Sequence, residues 1–165
     1  MNHIEFIIKV KHYNSFSDLS EENRALVKKS FECAKNAYSP YSHFKVGAAI
    51  LLENGKVITG NNQENAAYPS GLCAERTAAF YASSQFPDTP FRKIAITSIS
   101  LDQKGTKPVS PCGSCRQSLL EYEQKFNQKI EVILAAENGE VYVFDSIDQL
   151  LPYSFGASDL KESSL

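Results

Sequence analysis

Pro111-Cys112-Gly113-Ser114-Cys115-Arg116-Gln117 is the run around which this chain is read, together with Cys73-Ala74-Glu75-Arg76 upstream. Three of the chain's 4 cysteines fall in these two runs. A Cys-x-x-Cys at a helix start presents two sulfurs on one side of a single turn, because residues three apart are neighbours there. Backbone N–H groups at that terminus favour thiolate, the form that binds metal. Three thiolates with an open fourth position suit a catalytic zinc and its water. Glu75, two residues past Cys73, reaches that water without being a ligand and is the candidate proton shuttle.

Two other readings compete for the same cysteines. Cys112 and Cys115 alone match a thioredoxin-like redox pair. A structural four-cysteine zinc site would recruit Cys33, which makes a zinc-stabilised interaction module the non-enzymatic alternative. Cys33, however, lies in an apolar helical pattern, where a free cysteine behaves as a small buried hydrophobe. Glu75 alone would pass for an acidic residue matching a helix dipole; beside three cysteines it reads as catalytic. Three thiolates carry one charge more than zinc neutralises, so groups must draw charge off the sulfurs. Arg76 and Gln117 are placed to donate to them, whereas Arg116 reads equally as a surface charge or the partner of an acidic residue.

Outward from these runs, helices are predicted over Cys73–Ser84 and Cys112–Phe126. Ala74, Ala78, Ala79 and Ala82 are small enough to pack closely on a sheet. Strands are predicted at Phe44–Leu52, Lys56–Gly60, Arg92–Ile99, Ile130–Ala136 and Glu140–Asp145. Glu53-Asn54-Gly55 and Glu137-Asn138-Gly139 are hairpin signals. Asn61–Leu72 and Leu101–Ser110 read as loops. Leu26, Val27, Phe31, Ala34 and Tyr38 give a first helix, capped by Ser20 and ended near Tyr38 by Pro40. Ile4, Phe6, Ile8 and Val10 alternate with Glu5, Ile7 and Lys9 as an N-terminal strand, and Ser146 caps a short helix to Leu151. Strands alternating with helices imply parallel pairing, and each hairpin adds an antiparallel strand. The fold class is α/β: a mixed sheet in a three-layer α/β/α sandwich.

With 165 residues, the chain reads as a single domain over 1–165, with an extension over 1–14 and a tail over 153–165. Hydrophobic content of 42% and charged content of 22% are ordinary for a globular domain. A formal net charge of −2 offers no basic field for nucleic acid or an anionic membrane. No apolar run approaches the roughly 20 residues of a membrane span, and Glu5 and Lys9 interrupt any secretory signal. Reduced metal-type cysteines imply a cytoplasmic location.

Tyr38-Ser39-Pro40-Tyr41-Ser42-His43-Phe44, Asn62-Gln63-Glu64-Asn65-Ala66-Ala67-Tyr68-Pro69, Cys73-Ala74-Glu75-Arg76-Thr77, the run from Pro111 to Gln117, and Leu151-Pro152-Tyr153-Ser154-Phe155-Gly156 together resemble the small homotetrameric cytidine deaminases. The resemblance runs in order from about Leu19 to Leu160. It implies a mainly five-stranded sheet, one zinc per subunit and hydrolytic deamination of cytidine and 2′-deoxycytidine in pyrimidine salvage. It also implies a nucleoside substrate and a homotetramer whose pockets are shared between subunits. By the same resemblance, Phe44 packs on the pyrimidine ring and Asn62 and Glu64 bind the ribose hydroxyls. Ala74 (through its backbone) and Glu75 meet the polar edge of the base. Tyr41, Ala66, Tyr68 and Phe155 fall in or near the pocket. Residues 1–14 have no counterpart in the pattern and are expected to add a strand-like segment. A deaminase of a cytidine-like aminonucleoside antibiotic would share the zinc motif and is the alternative enzyme.

Overall fold

The structure, a computed structural model, describes residues 1–100 and 107–160. The beginning of the loop expected over 101–110, and residues 161–165 of the tail, lie outside the described residues.

Turn chemistry and alternation build the sheet. β1 is Lys11–Tyr13, β2 Phe44–Leu52, β3 Val57–Asn61, β4 Phe91–Ser100, β5 Glu131–Ala135 and β6 Val141–Phe144. β2 and β3 form one hairpin, with Gly55 at φ 80°, and β5 and β6 a second, with Gly139 at φ 99°. Both angles are left-handed, where a β-carbon would crowd the carbonyl, so each Glu-Asn-Gly run ends on the residue its turn needs. The strands lie in the order β1-β6-β5-β4-β2-β3. β4 and β5 pair in parallel, and the other neighbours are antiparallel.

Helix α1 (Glu21–Ala34) covers one face of the sheet, and α2 (Ala74–Gln85) and α3 (Gly113–Phe126) cover the other. Successive side chains of β2 point to opposite faces. Ala48, Ile50 and Leu52 therefore pack towards α2 and α3, and Ala49 and Leu51 towards Leu26 and Val27 of α1. These strands are buried on both sides, so they read as continuous apolar runs. α2 carries the chain from β3 over β2 to β4, and α3 carries it from β4 to β5. The three layers expected from the alternation of strands and helices are present.

Three element boundaries differ from the sequence reading. α1 stops at Ala34 instead of continuing to Tyr38. Its end tightens through hydrogen bonds from Asn36 N to Cys33 O (3.2 Å) and Ala37 N to Ala34 O (3.0 Å). Tyr38 then leaves the helix to pair with the 62–64 segment: its N–H donates to Asn62 O, and its carbonyl accepts from Glu64 N. The N-terminal strand lies at Lys11–Tyr13, not at Ile4–Val10, because Lys11 pairs with Val143 and β6 ends one residue on, at Phe144. Residues before Val10 run past the end of their partner. The helix expected after Ser146 is a single 3-10 turn, Asp148–Leu150.

α2 approaches the sheet very closely at Gly60 in β3. A β-carbon there would lie 2.4 Å from Ala78 N and 2.8 Å from Ala74 O. α2 thus packs its small residues directly on the strand backbone, and any side chain at position 60 lifts the helix. Gly60→Ala is expected to destabilise by about 1–3 kcal/mol, the usual range for overpacking. In urea titration the midpoint should fall, and an unchanged midpoint would show that α2 has room to move.

Candidate active site

α2 and α3 lie side by side, and the residue preceding each helix is a cysteine. Cys73 leads into α2 with φ −72° and ψ 153°, and Cys112 into α3 with φ −66° and ψ 166°. At this position a Ser or Asp side chain ordinarily accepts from the free N–H groups of the first turn. Neither cysteine makes such a bond. Each sulfur instead stands at the positive end of a helix dipole. Cys115, one turn into α3, is buried and faces the same space.

The three sulfur atoms lie within 4.8 Å of one another. Cys73 Sγ and Cys112 Sγ are 3.9 Å apart, and Cys112 Sγ and Cys115 Sγ are 3.5 Å apart. Tetrahedral thiolates bound at about 2.3 Å from zinc stand about 3.8 Å from each other, so the donor set fits one zinc ion per chain. Burial differs across the cluster: Cys115 is buried, Cys73 half-buried and Cys112 exposed. The cluster is thus not enclosed, and Cys73 lines a cleft, as suits a catalytic zinc. Cys33 takes no part. It is half-buried on α1, and its sulfur accepts from Asn61 Nδ2 at 3.6 Å.

The protons of the cluster show why it wants a cation. A hydrogen bond from Cys115, assisted by Arg76 and Cys112, pulls the Cys73 thiol down to about 5. Cys115 goes the other way: its hydrogen bond to the Cys73 thiolate, its burial and the nearby Glu75 charge all push its thiol up. Charge on one sulfur thus opposes charge on the next, and a divalent cation relieves that opposition. Arg76 Nη2 lies 3.8 Å from Cys73 Sγ, the donation expected of it. Gln117 is placed differently, its Nε2 donating to Phe155 O at 2.9 Å.

Glu75 sits in the first turn of α2 with 4% of its surface exposed. Burial pushes its carboxyl up, its own backbone N–H draws it back, and the Cys73 thiolate adds to the rise. Ala74 beside it is fully buried. Arg116, read as a surface charge or an acidic partner, is neither of these. It donates to Pro111 O and Leu150 O at 2.8 Å each and to Ser110 Oγ at 2.9 Å, which fixes the approach to Cys112.

Cys73 and Arg76 form one wall of a cleft of about 490 Å³, with Tyr41, Asn62, Glu64 and Tyr68 among its other lining residues. Ser42, Gln63, Asn65, Gly71 and Leu72 also line it. These sit in irregular backbone that carries no periodic signal; isolated bridges of Gln63 to Tyr38 and Leu72 hold it in place. Asn62 spends its carboxamide on β2, accepting from Val46 N (2.7 Å) and donating to Phe44 O (2.9 Å). The Glu64 carboxylate accepts from Ser42 Oγ and from Tyr41 N (3.0 Å) and Ser42 N (3.2 Å). Those donors, the Ser42 hydroxyl first, hold it below the usual carboxylate range. The turn they stabilise places His43 at φ 53°, an uncommon backbone state for a residue with a β-carbon. The rings of Tyr41 and Tyr68 meet at 6.1 Å. Phe44, Ala66, Ala74, Glu75, Gln117 and Phe155 are not among the residues lining this cleft.

Removing any one sulfur leaves two donors and an exposed metal. Cys73→Ala, Cys112→Ala and Cys115→Ala should each lose most bound zinc, while Cys33→Ser keeps one ion per chain. Because Cys115 must shed a proton to bind, zinc affinity should also fall as the pH is lowered. Quantified zinc on purified variants checks both expectations, and zinc loss in Cys33→Ser would contradict the three-sulfur site.

Comparison with known proteins agrees with this geometry. Residues 20–128 match the family model described as the cytidine and deoxycytidylate deaminase zinc-binding region. The chain is 37% identical over 141 residues to a cytidine deaminase of Halalkalibacterium halodurans, covering 86% of this chain and 99% of that one. It is 40% identical over 135 residues to a cytidine deaminase of Sporosarcina psychrophila, covering 82% and 92%. Among solved structures, cytidine deaminase from Burkholderia pseudomallei superposes with a TM-score of 0.71 at 38% identity, over 83% of this chain and all of that one. The enzyme from Mycobacterium tuberculosis gives 0.63 at 31% identity, over 83% and 98%. With its paired helix starts and three converging sulfurs, this chain belongs to the cytidine and deoxycytidylate deaminase family of zinc-binding proteins.

Proposed function

We propose that this chain hydrolyses cytidine and 2′-deoxycytidine to uridine and 2′-deoxyuridine, consuming one water and releasing one ammonia. The observation that carries the reading is a buried carboxyl, Glu75, in the same helical turn as a three-cysteine zinc site that faces a cleft. Cys73, Cys112 and Cys115 hold the metal. When bound, zinc supplies the Lewis acidity that lets water lose a proton near neutral pH.

Glu75 does the proton work. Its carboxylate takes the proton from water and passes it to the ring nitrogen next to C4. It then serves the departing amine in the same way. Burial suits this double duty, because a raised carboxyl holds the proton between the two transfers instead of losing it at once to solvent. Arg76 offsets the surplus negative charge through its contact with Cys73. Gln117 acts one step further out: by holding the Phe155 carbonyl, it ties the C-terminal segment to α3.

The nucleoside is read by the cleft. A volume of about 490 Å³ is in the range of small-molecule sites. A carboxylate has about four acceptor positions. Glu64 uses three of them on its own turn, which leaves one for a ribose hydroxyl. Asn62 offers the sugar its second amide hydrogen. Tyr41 and Tyr68 close the sides of the cleft, and beyond its lining Phe44 packs on the pyrimidine, the Ala74 backbone meets the polar edge of the base beside Glu75, and Ala66 stands near the pocket.

Phe155 is 58% exposed on its own chain. In this reading it completes the cleft of a neighbouring subunit in a homotetramer. The whole of residues 1–165 then works as one deaminase domain, cytoplasmic and serving pyrimidine salvage. Among the described residues, no helix is long and apolar enough to cross a membrane.

Glu75→Gln preserves shape and helix start but removes the proton carrier. It should keep one zinc per chain and lose roughly 10²–10⁴-fold in kcat, with light scattering still giving the mass of four chains. Activity within a few-fold of the parent would remove Glu75 from the chemistry, and a fully active single chain would remove the shared pocket.

A further inference from the structure

Residues 1–19 precede the part of the chain that the family model matches. They include β1, which forms one edge of the sheet. Before β1, residues 1–9 belong to no helix or strand, and no hydrogen bond among the described residues involves them. The segment is nevertheless apolar. Ile4 is 83% exposed, Ile7 75% and Phe6 54%. Ile8 and Val10 are also exposed. The Phe6 ring lies 6.1 Å from that of Tyr153, and residues 5–8 line a cavity with Lys129, Asp148, Gln149 and Pro152. An apolar segment continuing from an edge strand is a feature that natural sheets normally cover.

The order of residues in the segment specifies its cover. Two copies of Ile4-Glu5-Phe6-Ile7-Ile8-Lys9-Val10 laid antiparallel about Ile7 bring Glu5 opposite Lys9 of the other copy, twice. Ile4 then faces Val10, Phe6 faces Ile8, and Ile7 meets its own counterpart. One face of such a ladder is wholly apolar, and the other carries two ion pairs around a central isoleucine. Directly opposed residues interact most strongly in antiparallel pairs, and opposite charges there are favourable. Shifting the register by two residues in either direction sets Glu5 or Lys9 against Ile7, and shifting by one turns every side chain to the wrong face. A self-complementary strand of this kind closes with two-fold symmetry.

We propose that residues 4–10 form an antiparallel two-stranded ladder with the same segment of a second copy of this chain, with Glu5 paired to Lys9 across the two-fold axis at Ile7. The contact is independent of the catalytic reading and of any association made by the rest of the fold. It pairs the backbone groups along one edge of each segment and gathers Ile4, Phe6, Ile8 and Val10 of both chains on one face, where opposed side chains pack against each other.

The test uses zinc-loaded, full-length protein carrying Cys33→Ser, so that one thiol added by substitution is the reactive one. Ile7→Cys places that thiol on the axis; Asn2→Cys, in the same segment but nearer the terminus, places it off the axis. Under mild oxidation Ile7→Cys should form disulfide-linked dimers at least several-fold faster than Asn2→Cys. Adding Glu5→Lys sets like charges opposite each other twice and should slow the Ile7→Cys reaction by roughly tenfold. Combining Glu5→Lys with Lys9→Glu restores both pairs and should restore the rate. Equal rates at positions 2 and 7, or an Ile7→Cys rate indifferent to the charge changes, would overturn the pairing and leave the segment resting on its own Pro152 and Tyr153.

Discussion

Everything in this molecule that bears on chemistry depends on two helices starting at the same place. A helix start has free N–H groups and partial positive charge. Here two of them are aimed together, and cysteine occupies the position where an oxygen-bearing cap is the rule. One helix could lower a thiol; bringing three sulfurs within bonding distance of one cation takes both. The sheet makes this geometry. α2 lies almost on the backbone of β3 at Gly60, and its four buried alanines keep it there. The helix start is therefore held to the sheet by direct backbone approach, with no long side chains between to flex.

The same convergence explains the protonation pattern. Placing Cys73, Cys115 and Glu75 together concentrates negative charge where little water reaches. The protein alone relieves this with Arg76 beside Cys73, and the crowding raises both the Cys115 thiol and the Glu75 carboxyl. A divalent ion relieves the sulfurs far more completely. What remains for Glu75 is a carboxyl whose affinity for protons is set by burial, close to a metal site open to a cleft. Each of these properties costs stability by itself, and together they make a site for moving protons.

Much of this was legible in the sequence because the signals were short in range. Cys73, Cys112 and Cys115 reveal themselves by spacing, β2 by an unbroken apolar run, and both hairpins by Asn-Gly. The ladders that run through position 38 are long in range. Tyr38 fits the helical period of α1 yet pairs with the 62–64 segment, so tertiary pairing ends the helix before local preference does. Glu123 is another case. Its buried carboxylate accepts from Ile130 N and Ile147 N at 2.9 Å each, tying α3 to β5 and to the turn before Asp148. Nothing around Glu123 in the sequence distinguishes it from a surface glutamate. Arg116 was unreadable for the same reason, since its acceptors are backbone carbonyls, which every residue has. At the N-terminus the alternation of Ile4 to Val10 was visible, but not that its partner strand stops at Phe144.

The most direct test of the account is a cytidine deamination assay that follows ultraviolet change and ammonia together, with zinc quantified on the same sample. Turnover should rise in proportion to zinc, disappear when a chelator removes the metal and return when zinc is restored. Full zinc occupancy without turnover of cytidine or 2′-deoxycytidine would contradict the substrate. Turnover that survives complete metal removal would contradict the three-sulfur site as the seat of the reaction.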